Sequence, residues 1–201
     1  MAHSPITHQR LSHGFTLAEL LICLLILGVI AVFTIPKILS SQQDNRFNAI
    51  AKEDASAIAA AYKAYVHNNG ASSAISLSSL TTYLNYTAVD TSSLIDSYPG
   101  QTSLNCSSWA CYRMANGSIL AFDAGQTFGA TDDLAISYFY VDPDGVYSGS
   151  TTGNSKSVVF FIYYNGRITS QETAAAGSHD VWGTIYNPAT QVGKDPAWFR
   201  W

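Results

Sequence analysis

Charge is scarce in this chain. Asp, Glu, Lys and Arg together make up 12% of its 201 residues, against about 25% in an average soluble domain. Ser, Thr, Asn, Gly and Tyr stand in much of its place, and one apolar segment accounts for the rest. There is no basic excess either: the net charge is −4, so a general electrostatic grip on nucleic acid is not expected. Catalytic signatures are missing as well. The chain has no H-E-x-x-H, no G-x-S-x-G and no Walker A pattern, and after residue 14 its histidines are His67 and His179 alone. Asp180 beside His179 reads as a loop pair rather than a proton relay. Disorder is excluded by the 12% of aromatic residues, enough to build a core.

Cysteine is sparse: Cys23, Cys106 and Cys111. Cys23 lies in the apolar segment. Cys106 and Cys111 close the polar stretch CSSWAC, and such a pair fits a disulfide in an oxidising compartment. Two unpaired thiols are the alternative. The loop is short, so its entropic gain falls below the ~3 kcal/mol of a 15-residue loop.

Phe15 to Ile35 reads FTLAELLICLLILGVIAVFTI, with Glu19 as its one charge. At about 1.5 Å per residue, a helix of that length spans about 31 Å, the thickness of a bilayer core. The run is too long for a secretory signal and lacks a small-residue cleavage site after it. It is apolar on every face, which excludes a soluble amphipathic helix. Glu19 is the anomaly. A carboxylate in hydrocarbon costs about 2.5–3.5 kcal/mol and usually has a function. Its other reading is a helix-start glutamate, favoured there by the helix dipole.

Gly14 precedes Phe15, and a short polar stretch, MAHSPITHQRLSHG, precedes the run. Gly14-Phe15-Thr16-Leu17-Ala18-Glu19 resembles the type III signal of type IV prepilins and type II secretion pseudopilins, G followed by FTLxE. The resemblance implies cleavage between Gly14 and Phe15 by a prepilin peptidase and N-methylation of Phe15. It also implies that Glu19 neutralises the Phe15 amine of a neighbouring subunit during filament assembly. Gly28 and Pro36 fall where such proteins place helix-loosening residues. Residues 1–14 carry Arg10 and three histidines where family members usually carry more Lys or Arg, so the orientation rests on the resemblance. That orientation is single-pass in a bacterial inner membrane, with a periplasmic or extracellular head. Implied partners are other pilins in a homo- or hetero-oligomeric filament, membrane lipid, and an assembly platform with its ATPase.

Beyond Pro36, where a kink is expected, a helical stripe of Phe47, Ile50, Ile58, Ala61 and Tyr65 runs to about His67, interrupted by Asp54. Asn69-Gly70 stops it. The expected organisation is a leader (1–14), an assembly helix (15–36), its amphipathic continuation (37–70), a Ser/Thr-rich connecting loop (71–116) and a sheet with a C-terminal loop (117–201). Strand signals occur at Ser118–Asp123, Asp133–Val141 and Ser157–Tyr164, then at Arg167-Ile168-Thr169 after the Asn165-Gly166 turn. The fold class predicted is α+β: a long N-terminal helix packed on an antiparallel sheet of three to four strands. The tail carries Trp182, Trp198 and Trp201, which are expected to cover the core or a sheet edge. A looser resemblance, to a bacterial subfamily of prepilin-like proteins, rests on Asn116-Gly117, on Asp142 to Gly145 and on Asn165-Gly166.

Asp142 and Asp144 are candidate calcium ligands, with Asp132, Asp133 or Asn154 as helpers. A plain D-P-D-G turn is the competing reading; otherwise no cofactor is expected. Three formal sequons begin at Asn85, Asn105 and Asn116 and read as chance. A DNA-uptake role would need Lys156, Arg167, Lys194 and Arg200 on one face. The sequence therefore predicts a structural filament subunit rather than an enzyme. The alternatives are a minor pilin with an adhesive or DNA-binding head, or a single-pass membrane protein with an external enzymatic domain.

Overall fold

The computed structural model describes residues 16–91, 94–95, 104–146, 156–170, 174–179, 185–186, 195–196 and 199–201. The leader, Gly14, Phe15, Asn154, Asp180, Trp182, Lys194 and Trp198 lie outside the described residues. The chain forms two units, Met1–Gln42 and Gln43–Trp201.

Helix α1 runs Leu17–Asn69. In the first unit its apolar side chains are exposed, Leu17 by 80% and Phe33 by 76%. The helix is long and apolar enough there to cross a membrane by length and composition. Pro36 lies inside it and the helix continues past it. Near this point Thr34 Oγ1 donates to the Ile30 carbonyl at 3.0 Å. A side chain at Gly28 would meet nothing of this chain within 4 Å.

In the second unit α1 buries Ile50, Ala51, Asp54, Ala55, Ile58, Ala61 and Tyr62. These residues follow the three-and-four spacing of one helix face. They pack on an antiparallel sheet built from β1 (Tyr86–Asp90), β4 (Ala110–Met114), β5 (Ile119–Phe122), β6 (Ile136–Asp142), β7 (Val158–Tyr163) and β8 (Ile168–Ser170). The order is β1-β4-β5-β6-β7-β8. Two short pairs stand apart: β2 (Leu94–Ile95) with β3 (Leu104–Asn105), and β9 (Ser178–His179) with β10 (Ile185–Tyr186).

The α+β arrangement of a long helix and an antiparallel sheet is thus present, with six strands in the main sheet where three to four were expected. The additional strands, β1 and β4, fall in the stretch 71–116, expected to be a loop. That stretch also forms a 3-10 helix, Leu77–Tyr83, whose Leu77 and Leu80 are buried. β1 is exposed along nearly all its length and carries a bulge between Tyr86 and Ala88, so it shows no inside-outside alternation.

Strand β7 reads VVFFIY and is buried throughout. Val158, Phe160 and Ile162 join the core that includes α1, while Val159, Phe161 and Tyr163 join a second cluster with Ile136 and Ala174. A strand covered on both faces loses its polar alternation, which explains the unbroken apolar run. Phe199 is buried beside Phe160, ring centroids 5.5 Å apart, and Trp201 lies at the same distance from Phe160. Of the tail aromatics with described side chains, Phe199 enters the core and Trp201 packs on Phe160 while staying half exposed.

Two Asn-Gly hairpins hold α1. The β4–β5 turn contains Asn116-Gly117 and the β7–β8 turn Asn165-Gly166, with φ of 92° at Gly117 and 81° at Gly166. Because β4 and β7 run in opposite directions, these turns lie at opposite ends of the sheet. Asp54 meets the first turn, and Tyr62, about 12 Å further along the helix, meets the second.

Candidate functional site

The start of α1 is built by Thr16 and Glu19. The Thr16 backbone N–H donates to Glu19 Oε2 at 2.8 Å, and Thr16 Oγ1 donates to the same oxygen at 2.9 Å. In return the Glu19 N–H donates to Thr16 Oγ1 at 3.3 Å. This is a capping box: two amides that the first turn would otherwise leave unpaired are satisfied reciprocally. The helix-start reading of Glu19 is therefore correct as far as it goes. Both of these bonds to the carboxylate fall on Oε2, and Oε1 takes no hydrogen bond from the described residues. Capping and assembly are compatible roles for one side chain. Thr16 is a partner that the sequence reading did not single out, although the T-x-x-E spacing signals it.

The interruption at Asp54 has its cause in the head. Asp54 Oδ1 accepts from Asn116 Nδ2 at 2.9 Å, and Oδ2 accepts from Ser118 Oγ. Ser118 Oγ also lies 2.7 Å from Asn116 Oδ1. Burial raises the Asp54 carboxyl above the usual aspartate range, the bonds from Ser118 and Asn116 pull it back, and the charge of Glu53 adds a little upward. On the second turn the Tyr62 hydroxyl donates to the Tyr164 carbonyl. Burial pushes that phenol up to about 12, with Tyr164 contributing.

Cys106 and Cys111 form a disulfide, Cα atoms 5.5 Å apart. With Ile119 and Ala121 they make a small cluster against β5, on the face opposite the α1 core. Cys23 is a free, exposed thiol on α1.

Asp142 ends β6 and is buried. Asp144 Oδ1 accepts from the Val146 N–H at 3.0 Å, and Gly145 takes φ of 63°. Those are the features of a D-P-D-G turn. Asp132 is engaged with His179 Nε2 at 3.2 Å, and Asp133 accepts from Asn165 Nδ2 at 3.4 Å. Among the described residues, no three His, Cys, Asp or Glu side chains are grouped to hold a metal ion. Of the basic residues considered for DNA, Lys156 lies over the Phe47 ring and Arg167 over the Tyr163 ring. A cavity of about 490 Å³ opens beside Tyr62, Lys63, His67, Thr131, Asp133 and Asn165.

The protein class that emerges has a helix fit to cross a membrane and a helix-on-sheet head. The family described as the prokaryotic N-terminal methylation motif matches residues 9–35. The chain carries the N-terminal signal of type IV pilins and pseudopilins. No curated protein and no solved structure matches it. The signal implies processing by a prepilin peptidase and assembly with other pilins.

Proposed function

We propose that the chain is a structural subunit of a type IV pilus-like or type II secretion pseudopilus filament. A prepilin peptidase cleaves it between Gly14 and Phe15, and it polymerises through the apolar half of α1. The head, residues 43–201, forms the outer surface. In this reading the subunit waits in the bacterial inner membrane, and an external platform and ATPase drive its extraction.

The supporting observation is the conjunction at Glu19. A carboxylate whose Oε1 takes no hydrogen bond from the described residues stands at the start of an apolar helix with largely exposed side chains, four residues from the amine that cleavage would create at Phe15. In a water-poor filament core that charge needs a cationic partner, and the new amine needs an anionic one.

Glu19→Gln separates the two roles of the residue. Gln also closes a capping box, so α1 still starts at Thr16, while the charge is gone. The expected result is a cleaved, membrane-inserted protein that no longer enters filaments. Normal filaments from the Gln variant would refute the proposal.

A further inference from the structure

The cavity beside the last turns of α1 is lined entirely by residues of the second unit. Its volume of about 490 Å³ falls in the range of about 300–1,000 Å³ common to small-molecule sites. Three segments meet there: residues 62–71 at the end of α1, residues 131–133 before β6, and residues 164–165 in the β7–β8 turn. Hydrogen bonds tie the three together. The Tyr62 hydroxyl donates to the Tyr164 carbonyl, and the Tyr164 N–H donates to the Ala135 carbonyl at 2.9 Å. Asn165 Nδ2 donates to Asp133 Oδ1 at 3.4 Å, and Asn165 Oδ1 accepts from the Arg167 N–H at 3.0 Å. Phe128 packs edge-on against both Tyr62 and Tyr164, with centroids 5.5 and 5.9 Å away. The site is therefore assembled before a ligand arrives, which lowers the ordering cost of binding.

The polar groups of the cavity are sorted by type. Lys63 and His67 lie four residues apart, so they share one face of α1, and both bring N–H donors. The ion pairs among the described residues are Arg113–Asp90 and His179–Asp132, so neither Lys63 nor His67 is spent in one. The other two segments offer the Asp133 carboxylate, the Asn165 carboxamide and the Thr131 hydroxyl. All five of these residues are exposed. Tyr62, Val66 and Tyr164 add apolar surface to the lining.

We propose that this cavity binds a saccharide that carries a carboxylate, a uronic-acid residue of a polysaccharide. Lys63 and His67 take the sugar carboxylate. Asp133, Asn165 and Thr131 take its ring hydroxyls, and the tyrosines face its C–H surface. This adds a binding role to the head and does not rest on the filament reading.

The donor set selects this class. A sugar hydroxyl both donates and accepts, and a rim of carboxylate, carboxamide and hydroxyl answers both needs. A free amino acid would rely on two ion pairs, to Lys63 and to Asp133. At exposed side chains such pairs are screened and contribute little, and its ammonium has no use for the Asn165 amide. An ionised phosphate has no hydrogen to share with Asp133, which would repel it.

The test is calorimetric titration of the full-length protein in a sugar-free detergent. The probes are trigalacturonate, trimannuronate, the matching neutral trisaccharides and free glutamate. The expected result is binding of an acidic trisaccharide, with its neutral counterpart about fivefold weaker and glutamate not bound. Lys63→Gln should weaken the acidic sugar about fivefold and leave the neutral one unchanged. Asp133→Ala should weaken both by about tenfold. Arg200→Gln removes the same charge outside the lining and should change neither. No heat from any sugar, preferential binding of glutamate, or an affinity unmoved by both Lys63→Gln and Asp133→Ala would overturn the proposal and leave the filament reading intact.

Discussion

Asp54 of α1 accepts a hydrogen bond from Ser118, at the turn between β4 and β5, with neither residue exposed by more than 1%. The bond joins the helix to the sheet at one end. The Tyr62 hydroxyl does the same at the other, on the Tyr164 carbonyl. A helix held at two points on one face has a fixed rotation on its sheet.

The Asp54 carboxyl is raised by burial, so its protonated form is favoured by folding. Its contribution to stability is full below the ordinary aspartate range and falls as pH rises through the higher folded value. Asp54→Asn removes that titration and keeps the network: the new amide donates to Ser118 Oγ, whose proton turns to Asn116 Oδ1. The variant should therefore gain on the parent as pH rises from about 4 to about 7, in thermal unfolding of the full chain in detergent. A variant that loses ground with rising pH would contradict this account.

Tyr62→Phe deletes one bond and leaves the ring against Phe128. The expected loss is about 1 kcal/mol in chemical denaturation. In the parent, the phenol held at about 12 contributes stability below the ordinary tyrosine value that is lost as pH rises toward about 12. Ultraviolet titration should show a late-titrating tyrosine component that shrinks in the Phe variant.

Glycines 166 and 28 should respond oppositely to alanine. Gly166 has φ of 81°, and an added Cβ would lie 3.0 Å from the Tyr62 ring. Gly166→Ala should cost roughly 1–3 kcal/mol in unfolding experiments. Gly28→Ala meets nothing within the chain and should leave head stability unchanged. A filament defect in Gly28→Ala would then report on a neighbouring subunit.

Reduction of Cys106–Cys111 releases a loop with a sequence separation of only 5. On chain entropy the bond contributes about 2 kcal/mol. The reduced head should stay folded with a lower denaturation midpoint. Complete unfolding on reduction would show that the cluster of Ile119, Ala121 and the two cysteines depends on the bond.

Much of this is legible from local pattern. The apolar run of α1, the Phe47-to-Tyr65 stripe, both Asn-Gly turns and strands β5 to β8 show in composition and period, because each is a local preference reinforced by burial. What is not legible is non-local or lacks a period. β1 is exposed and bulged, and β4 holds Arg113 among its five residues, so neither announces a face. Asp54 reads as a flaw in the stripe because its partners lie more than sixty residues away. Glu19 reads as assembly residue or helix start, and the Thr16 geometry permits both. The Asp142–Asp144 stretch shows the reverse case: the acids are there in sequence, and the described geometry around Asp144 is that of a turn.

The most direct test is the mass of the N-terminal peptide of membrane-extracted protein, with and without prepilin peptidase. The account predicts a peptide starting at N-methylated Phe15 that disappears when the peptidase is absent. A peptide retaining residues 1–14 in the presence of active peptidase would contradict it, and Glu19 would then be a helix-capping residue only.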